Sequence, residues 1–449
     1  MNEYVTVAFT SEQLASCTHG TLRGEGNVQC SGASIDSRQC NRGNVFFALS
    51  GEHTDGHQFI EAAISAGCGA VIVNRDIEAT VPIIKVENVR KALFDLAMHR
   101  REQLEFKKVV AITGSVGKTT TKDMIACMLG STVVKSLNSF NNDLGVPLTI
   151  LSAEDAEYLV AEVGANEIGE IEPLALLVRP DIGVLTSIDH AHLEGFGDCK
   201  TVLAEKVKLF ESLPSNGVAV VPEDIDLSEF AISASIYTVG WSDGADVRIE
   251  TGVDDDGYGT LRIGENECTL SMLGEHNAMN ASLAIVASMY ARPELDQSQL
   301  FNSVHGLEGS AGRLQKDDVD GISFIDDSYN ANPASMRSAL KLFQAISSPR
   351  KVMVLGDMLE LGDFAHAEHR LLSNSIQSVA ADLVIFVGPQ MKITSESMPS
   401  IYEQDASIDA MLRIASLLKT GDTVLIKGSR GMQLERIIEL KRQIKVSRP

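Results

Sequence analysis

The sequence predicts an α/β protein built from three units, and three observations carry that prediction. Short apolar runs of strand length alternate with helical patterns through most of the chain, the rhythm of parallel sheets with crossover helices. A glycine-rich turn separates one such run from a helix at residues 113–120. In the last third, four apolar runs each close on Gly, Asp, Ser or Pro, and ligands of open parallel sheets gather at strand carboxyl ends. At 449 residues the chain exceeds one ordinary core, and changes in texture divide it at 1–100, 101–313 and 314–449.

In the first unit, residues 45–49 (VFFAL) and 69–73 (GAVIV) read as strands, with a helix at 59–67 between them. Residues 91–104 read as a helix leading out. The second unit opens with a buried strand at 109–113 (VVAIT), then the glycine turn, then a helix at 119–129. Further strands are expected at 158–164, 182–188 and 217–222. Around 241–270, repeated Gly and Asp with short alternating runs suggest hairpins, and a helix follows at about 278–290. The third unit carries strands at 322–328, 351–357, 383–389 and 423–429, separated by helical patterns.

Composition narrows the function classes. The content of 44% hydrophobic and 22% charged residues reads as a soluble globular protein. A net charge of -23 argues against a nucleic-acid footprint, so an anionic substrate needs local basic side chains. The 7 cysteines form no Cys-x-x-Cys pair, which argues against a disulfide framework or zinc knuckle and for free thiols in a reducing cytosol. The opening MNEYVTVAFTSEQL has no basic start followed by an apolar run, so no signal peptide is expected. No apolar stretch reaches membrane-spanning length. A cytoplasmic protein without membrane or nucleic-acid partners is the resulting expectation; a monomer is expected as well, though nothing in the composition bears on it.

The strongest chemical signal is Thr113-Gly114-Ser115-Val116-Gly117-Lys118-Thr119-Thr120, between a strand and a helix. Glycines let the backbone aim its N–H groups inward, and the helix N-terminus adds partial positive charge. Lys118 then suits the terminal phosphates of a nucleotide, and the Thr119 hydroxyl suits magnesium. The loop is shorter than the general phosphate-loop pattern, with Ile112 where that pattern has its first glycine. The loop alone names no reaction. An Asn-Lys-x-Asp base reader is absent, while Asp189 after the 182–188 run keeps a motor or transport ATPase open, as well as a nucleotide-responsive binding protein.

Several further strings make the chain resemble the Mur ligase and folylpolyglutamate synthase superfamily. They are the loop itself, Asn141-Asn142-Asp143-Leu144-Gly145-Val146-Pro147, Asp326-Asp327-Ser328-Tyr329-Asn330-Ala331-Asn332-Pro333, residues 354–362 (VLGDMLELG) and residues 427–432 (KGSRGM). Asp36-Ser37-Arg38 and residues 51–59 (GEHTDGHQF) resemble the family's UDP-binding domain. The resemblance runs from about residue 30 to 435, with the motifs in family order. Within the family it points to the branch that joins D-alanyl-D-alanine to a UDP-N-acetylmuramoyl-tripeptide, because the diaminopimelate-adding branch has an Asp-Tyr-Ala-His segment where this chain has DDSYNAN. Another ligase of the superfamily, with a different donor, is the alternative. The resemblance implies a UDP-binding first domain, a central ATPase domain with a mainly parallel sheet, and a Rossmann-like third domain. Two positions depart from the pattern: Ser139 stands where many relatives have Asn, and Glu205 and Lys208 surround Lys206 where small and acidic residues are usual.

The resemblance also implies a site. It assigns Lys118, Lys206, His192 and Arg313 to catalysis. Thr119, Glu162, His192 and Lys206 would hold magnesium, two ions in all, with Lys206 converted by carbon dioxide to a carbamate. ATP would lie against residues 113–120, His276, Asn277, Asn280, Arg313, Asp327, Tyr329 and Asn330. The UDP-substrate would meet Asp36, Ser37, Arg38, Asp55, His57, Asn141 and Asn142. From the residues alone, Asn and Asp in these segments also suit helix and loop capping, and Lys206 also suits a solvated helix face. His190 reads as a plain loop histidine. His366 and His369 read as one face of an amphipathic helix, and Met353, Met358 and Met432 as core filling.

Overall fold

The structure, a computed structural model, describes residues 9–51, 54–189, 196 and 198–446. The first unit is a five-stranded sheet of β1 (Thr21–Arg23), β2 (Ala33–Ser34), β3 (Val45–Phe47), β4 (Ala70–Val73) and β5 (Ile83–Lys85). Its order is β1-β5-β4-β3-β2, parallel except for the β1–β5 pair. Every residue of β3 and β4 is buried, as strands covered on both faces require. Helix α1 (Ile60–Ser65) crosses between them. Helix α2 (Val89–Gln103) starts where the Asn88 side chain accepts from the Lys91 N–H. One apolar cluster runs from Val45, Phe47 and Leu93 to Val109 and Leu159, so the first two units share a core.

The second unit holds a seven-stranded, all-parallel sheet. In chain order its parts are β6 (Lys108–Thr113), α3 (Lys118–Leu129), β7 (Val133–Lys135), α4 (Gly145–Leu151), β8 (Tyr158–Glu162), α5 (Ile171–Val178), β9 (Ile182–Leu185), α6 (Cys199–Glu211), β10 (Val218–Pro222), β11 (Ser235–Gly240) and β12 (Val247–Arg248). The order β12-β11-β10-β9-β6-β8-β7 puts β6 between β9 and β8, so the glycine turn opens at the middle of the sheet's carboxyl edge. The expected hairpins form a three-stranded antiparallel sheet of β13 (Glu250–Val253), β14 (Tyr258–Ile263) and β15 (Asn266–Leu273). Helix α7 (Glu275–Ala291) follows. Its buried Ala278, Ala281, Ala284 and Ala287 let it lie close under the central sheet beside α3.

The third unit is a six-stranded sheet with helices on both faces. Its strands are β16 (Gln315–Val319), β17 (Ile322–Asp327), β18 (Arg350–Gly356), β19 (Leu383–Val387), β20 (Ile401–Glu403) and β21 (Asp422–Lys427), in the order β16-β17-β21-β18-β19-β20. Only β16 runs antiparallel to its neighbour. Helix α8 (Pro333–Ala345) begins with a capping box, Asn332 accepting from the Ser335 N–H while the Ser335 hydroxyl accepts from the Asn332 N–H, and Pro333 at the first turn. In α9 (Ala365–Ser378) His369 is fully buried and accepts from the Met358 N–H at 3.0 Å, so it is a core hydrogen-bonding residue rather than a surface one. Met353 and Met358 are buried in the core as expected.

Candidate active site

The glycine turn takes its shape from its surroundings. Gly114 has φ 145° and Gly117 φ 90°, backbone states that favour glycine. A β-carbon at Gly114 would lie 2.0 Å from the Thr186 hydroxyl oxygen, and one at Gly117 2.4 Å from Asn280 Oδ1. The loop is thus pressed between the end of β9 and the second turn of α7. The Lys118 ammonium curls back to donate to the Gly114 carbonyl at 2.7 Å and the Ser115 carbonyl at 3.3 Å. Burial pulls the Lys118 pKa down, Glu162 opposes the shift, and the Arg313 charge adds to it.

Around the loop lies a cavity of about 460 Å³, walled by the second and third units. Its floor is a set of hydroxyls and charges brought together from distant segments. The Thr119 hydroxyl donates to Glu162 Oε2 at 2.8 Å, and the Asn141 amide donates to Glu162 Oε1 at 2.9 Å. Glu162 is 1% exposed at the end of β8. Ser139 Oγ lies 3.1 Å from Thr119 Oγ1. Arg313 donates to both hydroxyls at 3.1 Å, and the Tyr329 phenol donates to Ser139 at 2.8 Å. The Arg313 guanidinium also stacks over the Tyr329 ring, 4.1 Å from its centroid.

On the opposite wall, α7 presents His276, Asn277 and Asn280. The Asn277 amide donates to the Leu273 carbonyl and the Asn280 amide to Asn277 Oδ1, which leaves Asn280 Oδ1 toward Gly117. Burial holds His276 below the ordinary histidine pKa. From the third unit, Asp327 pairs with the buried Lys427 at 2.6 Å, and Lys427 also donates to the Asn330 carbonyl. Asp189 lines the same cavity and faces Arg337 at 3.5 Å.

Lys206 lies outside the cavity lining, on α6, and is 2% exposed. Burial, reinforced by the positive charge of Lys118, lowers its pKa to about 7. The flanking Glu205 is turned elsewhere: its carboxylate accepts from the Gly169 and Ile171 N–H groups at 3.0 and 2.8 Å. Lys208 pairs with Glu211 on the outer face.

The structure brings together most of the residues expected around ATP. Thr113 and Gly114 are exceptions: neither lines the cavity, and the Thr113 side chain is fully buried. His190 and His192 lie outside the described residues. The set expected around the UDP-substrate is divided. Asn141 and Asn142 line the central cavity, whereas Asp36, Ser37, Arg38, Asp55 and His57 sit on the first unit away from it. Asp36 caps the turn Ser37–Gln39 and grips Arg38, whose side chain is 86% exposed. Hydrogen bonds from the His57 backbone and ring, helped by Arg75, hold the Asp55 carboxyl well below the usual range. The His57 side chain itself is 2% exposed, with Nδ1 on Asp55 at 2.7 Å. The other ring nitrogen, Nε2, is buried without a hydrogen-bond partner.

Two polar residues at the site escaped the sequence reading, Lys122 and Lys427, and Ser139, read only as a departure from the family's Asn, gains its partners here. Lys122 is 1% exposed and donates to the Ser136 and Asn138 carbonyls at 2.8 and 2.6 Å, clamping the loop that carries Ser139 and Asn141. The sequence carries no signal for Lys122 beyond helical phase. Lys427 opens the KGSRGM string, which marks the segment without assigning that side chain a partner.

Known proteins share this arrangement. Residues 29–101 match the Mur ligase family catalytic domain, 112–288 the Mur ligase middle domain, and 312–430 the Mur ligase glutamate ligase domain. The chain is 33% identical to the UDP-N-acetylmuramoyl-tripeptide–D-alanyl-D-alanine ligase of Bacillus subtilis, over 96% of this chain and 97% of that one. It is 34% identical to the protein of the same name from Haemophilus influenzae, over 98% and 100%. The crystal structure of MurF from Acinetobacter baumannii superposes with a TM-score of 0.86 at 31% identity, covering 98% of this chain and 99% of that one. MurF from Thermotoga maritima in complex with ADP gives 0.76 at 26% identity, covering 92% and 97%. Full-length similarity and three domain matches in the order of the three units lead to one conclusion: the chain belongs to the Mur ligase family.

Proposed function

We propose that the chain is an ATP-dependent ligase that adds D-alanyl-D-alanine to UDP-N-acetylmuramoyl-tripeptide, completing the pentapeptide precursor of peptidoglycan. The observation that carries this reading is the junction of Lys118, Thr119 and Glu162 with Arg313 and Tyr329, in a chain similar throughout its length to ligases of that name. A carboxylate does not react with an amine at neutral pH. Transfer of the ATP γ-phosphoryl group to the tripeptide carboxylate gives an acyl phosphate and ADP. The dipeptide amine then attacks the acyl carbon, an amide forms, and phosphate leaves. Such chemistry asks the protein mainly for positioning and charge neutralisation.

The residues have matching roles. Backbone N–H groups of 114–119 and the Lys118 ammonium cradle the β- and γ-phosphates. Arg313 is close enough to Thr119 to turn its guanidinium onto the moving phosphoryl. The α7 segment with His276, Asn277 and Asn280 faces the adenine, and Asp327, Tyr329 and Asn330 bring the third unit onto the ribose side. Asn141 and Asn142 hold the tripeptide end of the UDP-substrate, and Asp36, Ser37, Arg38 and Asp55 its nucleotide end. The Thr119 hydroxyl and the buried Glu162 carboxylate offer oxygen donors of the kind magnesium prefers. Magnesium bound there supplies charge neutralisation at the phosphates. Lys206 is proposed as a carbamate, its neutral amine adding carbon dioxide with loss of one proton. Burial and the neighbouring Lys118 favour the neutral amine that this addition needs. His192 completes the proposed cation set from outside the described residues.

The test is phosphate release by the purified chain with ATP and magnesium. Release should require UDP-N-acetylmuramoyl-tripeptide and D-alanyl-D-alanine together, with pentapeptide appearing in equal amount. Lys118→Ala should lower turnover by at least about a hundredfold, as loss of a transition-state charge contact does. Steady hydrolysis with neither substrate would instead support a motor or switch.

A further inference from the structure

We infer that Ser139 is a positioning residue that couples docking of the third unit to the orientation of the Thr119 hydroxyl. The inference rests on the proposed role of Thr119 and Glu162 toward the cation that accompanies the nucleotide. Proton counting gives the hydroxyls a direction. Thr119 has one hydroxyl proton, and the bond to the buried Glu162 carboxylate at 2.8 Å uses it. Toward Ser139, 3.1 Å away, Thr119 must therefore accept, and Ser139 must donate its only proton. Ser139 is left with lone pairs alone for the Tyr329 phenol at 2.8 Å and Arg313 at 3.1 Å. The chain of donors reads Tyr329 to Ser139 to Thr119 to Glu162, and turning the Thr119 proton toward Ser139 would strip Glu162 Oε2 of its hydroxyl donor, leaving the carboxylate only Asn141 on Oε1.

Each end of this chain has a support of its own, with Arg313 touching both. Ser139 rides on a loop held by Lys122 through the Ser136 and Asn138 carbonyls, and the Ser136 hydroxyl accepts from the Glu162 N–H at 3.0 Å. Tyr329 is held in the third unit by guanidinium groups over its ring, Arg313 at 4.1 Å and Arg430 at 5.8 Å. Ser139 Oγ is where these two supports meet. With one Thr119 lone pair fixed by Ser139, the other is aimed toward the side from which Arg313 approaches. Undocking Tyr329 frees Ser139 to rotate, and Thr119 loses that aim.

A double-mutant cycle read by calorimetry on the full chain tests this, with ADP as the probe in excess magnesium and again in EDTA. Ser139→Ala and Tyr329→Phe should each weaken Mg2+–ADP binding about 3- to 10-fold, the range of one hydrogen bond, and the double variant should be no weaker than about twofold beyond either. In EDTA Ser139→Ala should change ADP affinity by less than about twofold. Ser139→Thr keeps the hydroxyl and should restore binding, which separates lost geometry from misfolding. Additive losses, or equal losses with and without magnesium, would overturn the coupling. The assay needs no acceptor, so a wild-type chain that fails to ligate D-alanyl-D-alanine would sink the functional reading and leave this cycle readable.

Discussion

Lys206 shows what a single buried charge does to a molecule. It is 2% exposed, and burial together with the like charge of Lys118 lowers its pKa from 10.5 to about 7. A lysine depressed in the folded state lets the unfolded chain bind more protons between those two values, so its contribution to stability rises with pH from about 7 to 10.5. Lys206→Met, similar in length and uncharged, should therefore raise the urea midpoint at pH 7 to 8 in buffer free of carbon dioxide. The gain, on the order of a few kcal/mol, should fade as pH approaches 10.5. A gain constant across pH would place the cause in packing instead. For catalysis, Lys206→Ala should lose turnover by about a hundredfold or more and regain part of it with a short carboxylic acid in the buffer. Full activity without added acid would return Lys206 to an ordinary buried lysine.

Among elements, helix α5 depends on a residue that is not its own. Its N-cap position, Glu170, makes no side-chain cap bond, and the N–H groups of Gly169 and Ile171 are taken by Glu205 from α6. This accounts for the acid beside Lys206: Glu205 is 4% exposed and serves as a cap from a neighbouring helix, binding α5 and α6 together. Glu205→Ala leaves the buried Ile171 N–H without a partner and hands the exposed Gly169 N–H to water, and should cost about 1–3 kcal/mol, seen as a lower urea midpoint. Glu205→Gln keeps one acceptor and should recover part of the loss. An unchanged midpoint in Glu205→Ala would show that water replaces the carboxylate.

At the scale of the whole molecule, the site exists only where the second and third units meet. Tyr329 reaches Ser139, Arg337 faces Asp189 at 3.5 Å, and Lys341 reaches Glu275 at 2.8 Å. Beside these polar contacts Leu273 and Tyr258 pack into the third unit's apolar cluster, whereas the first two units share one continuous core. Relative motion should therefore concentrate at the third unit, with the segment around Arg313 as the hinge. Small-angle scattering should give a larger radius for the free chain than for the chain with an ATP analogue and the UDP-substrate, and the bound profile should match the arrangement described above. An unchanged radius in a chain shown to bind both ligands would rule out closure.

Much of this was legible before any tertiary contact was known, because strands, turns and caps are written in local periods. The apolar runs at 45–47, 109–113 and 158–162 mark strands, Gly114 and Gly117 mark the turn, and Asn332-Pro333 with Ser335 marks the start of α8. Resemblance placed the remaining site residues by motif. What the sequence concealed falls into two kinds. Edge strands such as β16, with QKDDV, carry too little apolar surface to read as strands, since one side faces solvent and pairing alone holds them. The partners of polar groups were hidden as well. Ser139 and Tyr329 stand 190 positions apart, Thr119 and Glu162 43 apart, and His57 is polar in sequence yet sealed from solvent. A local pattern sets which groups need partners. Only the packing of β6, β8 and the third sheet into one cleft decides which partners lie within 3 Å, because a hydrogen bond depends on distance and angle rather than on separation along the chain.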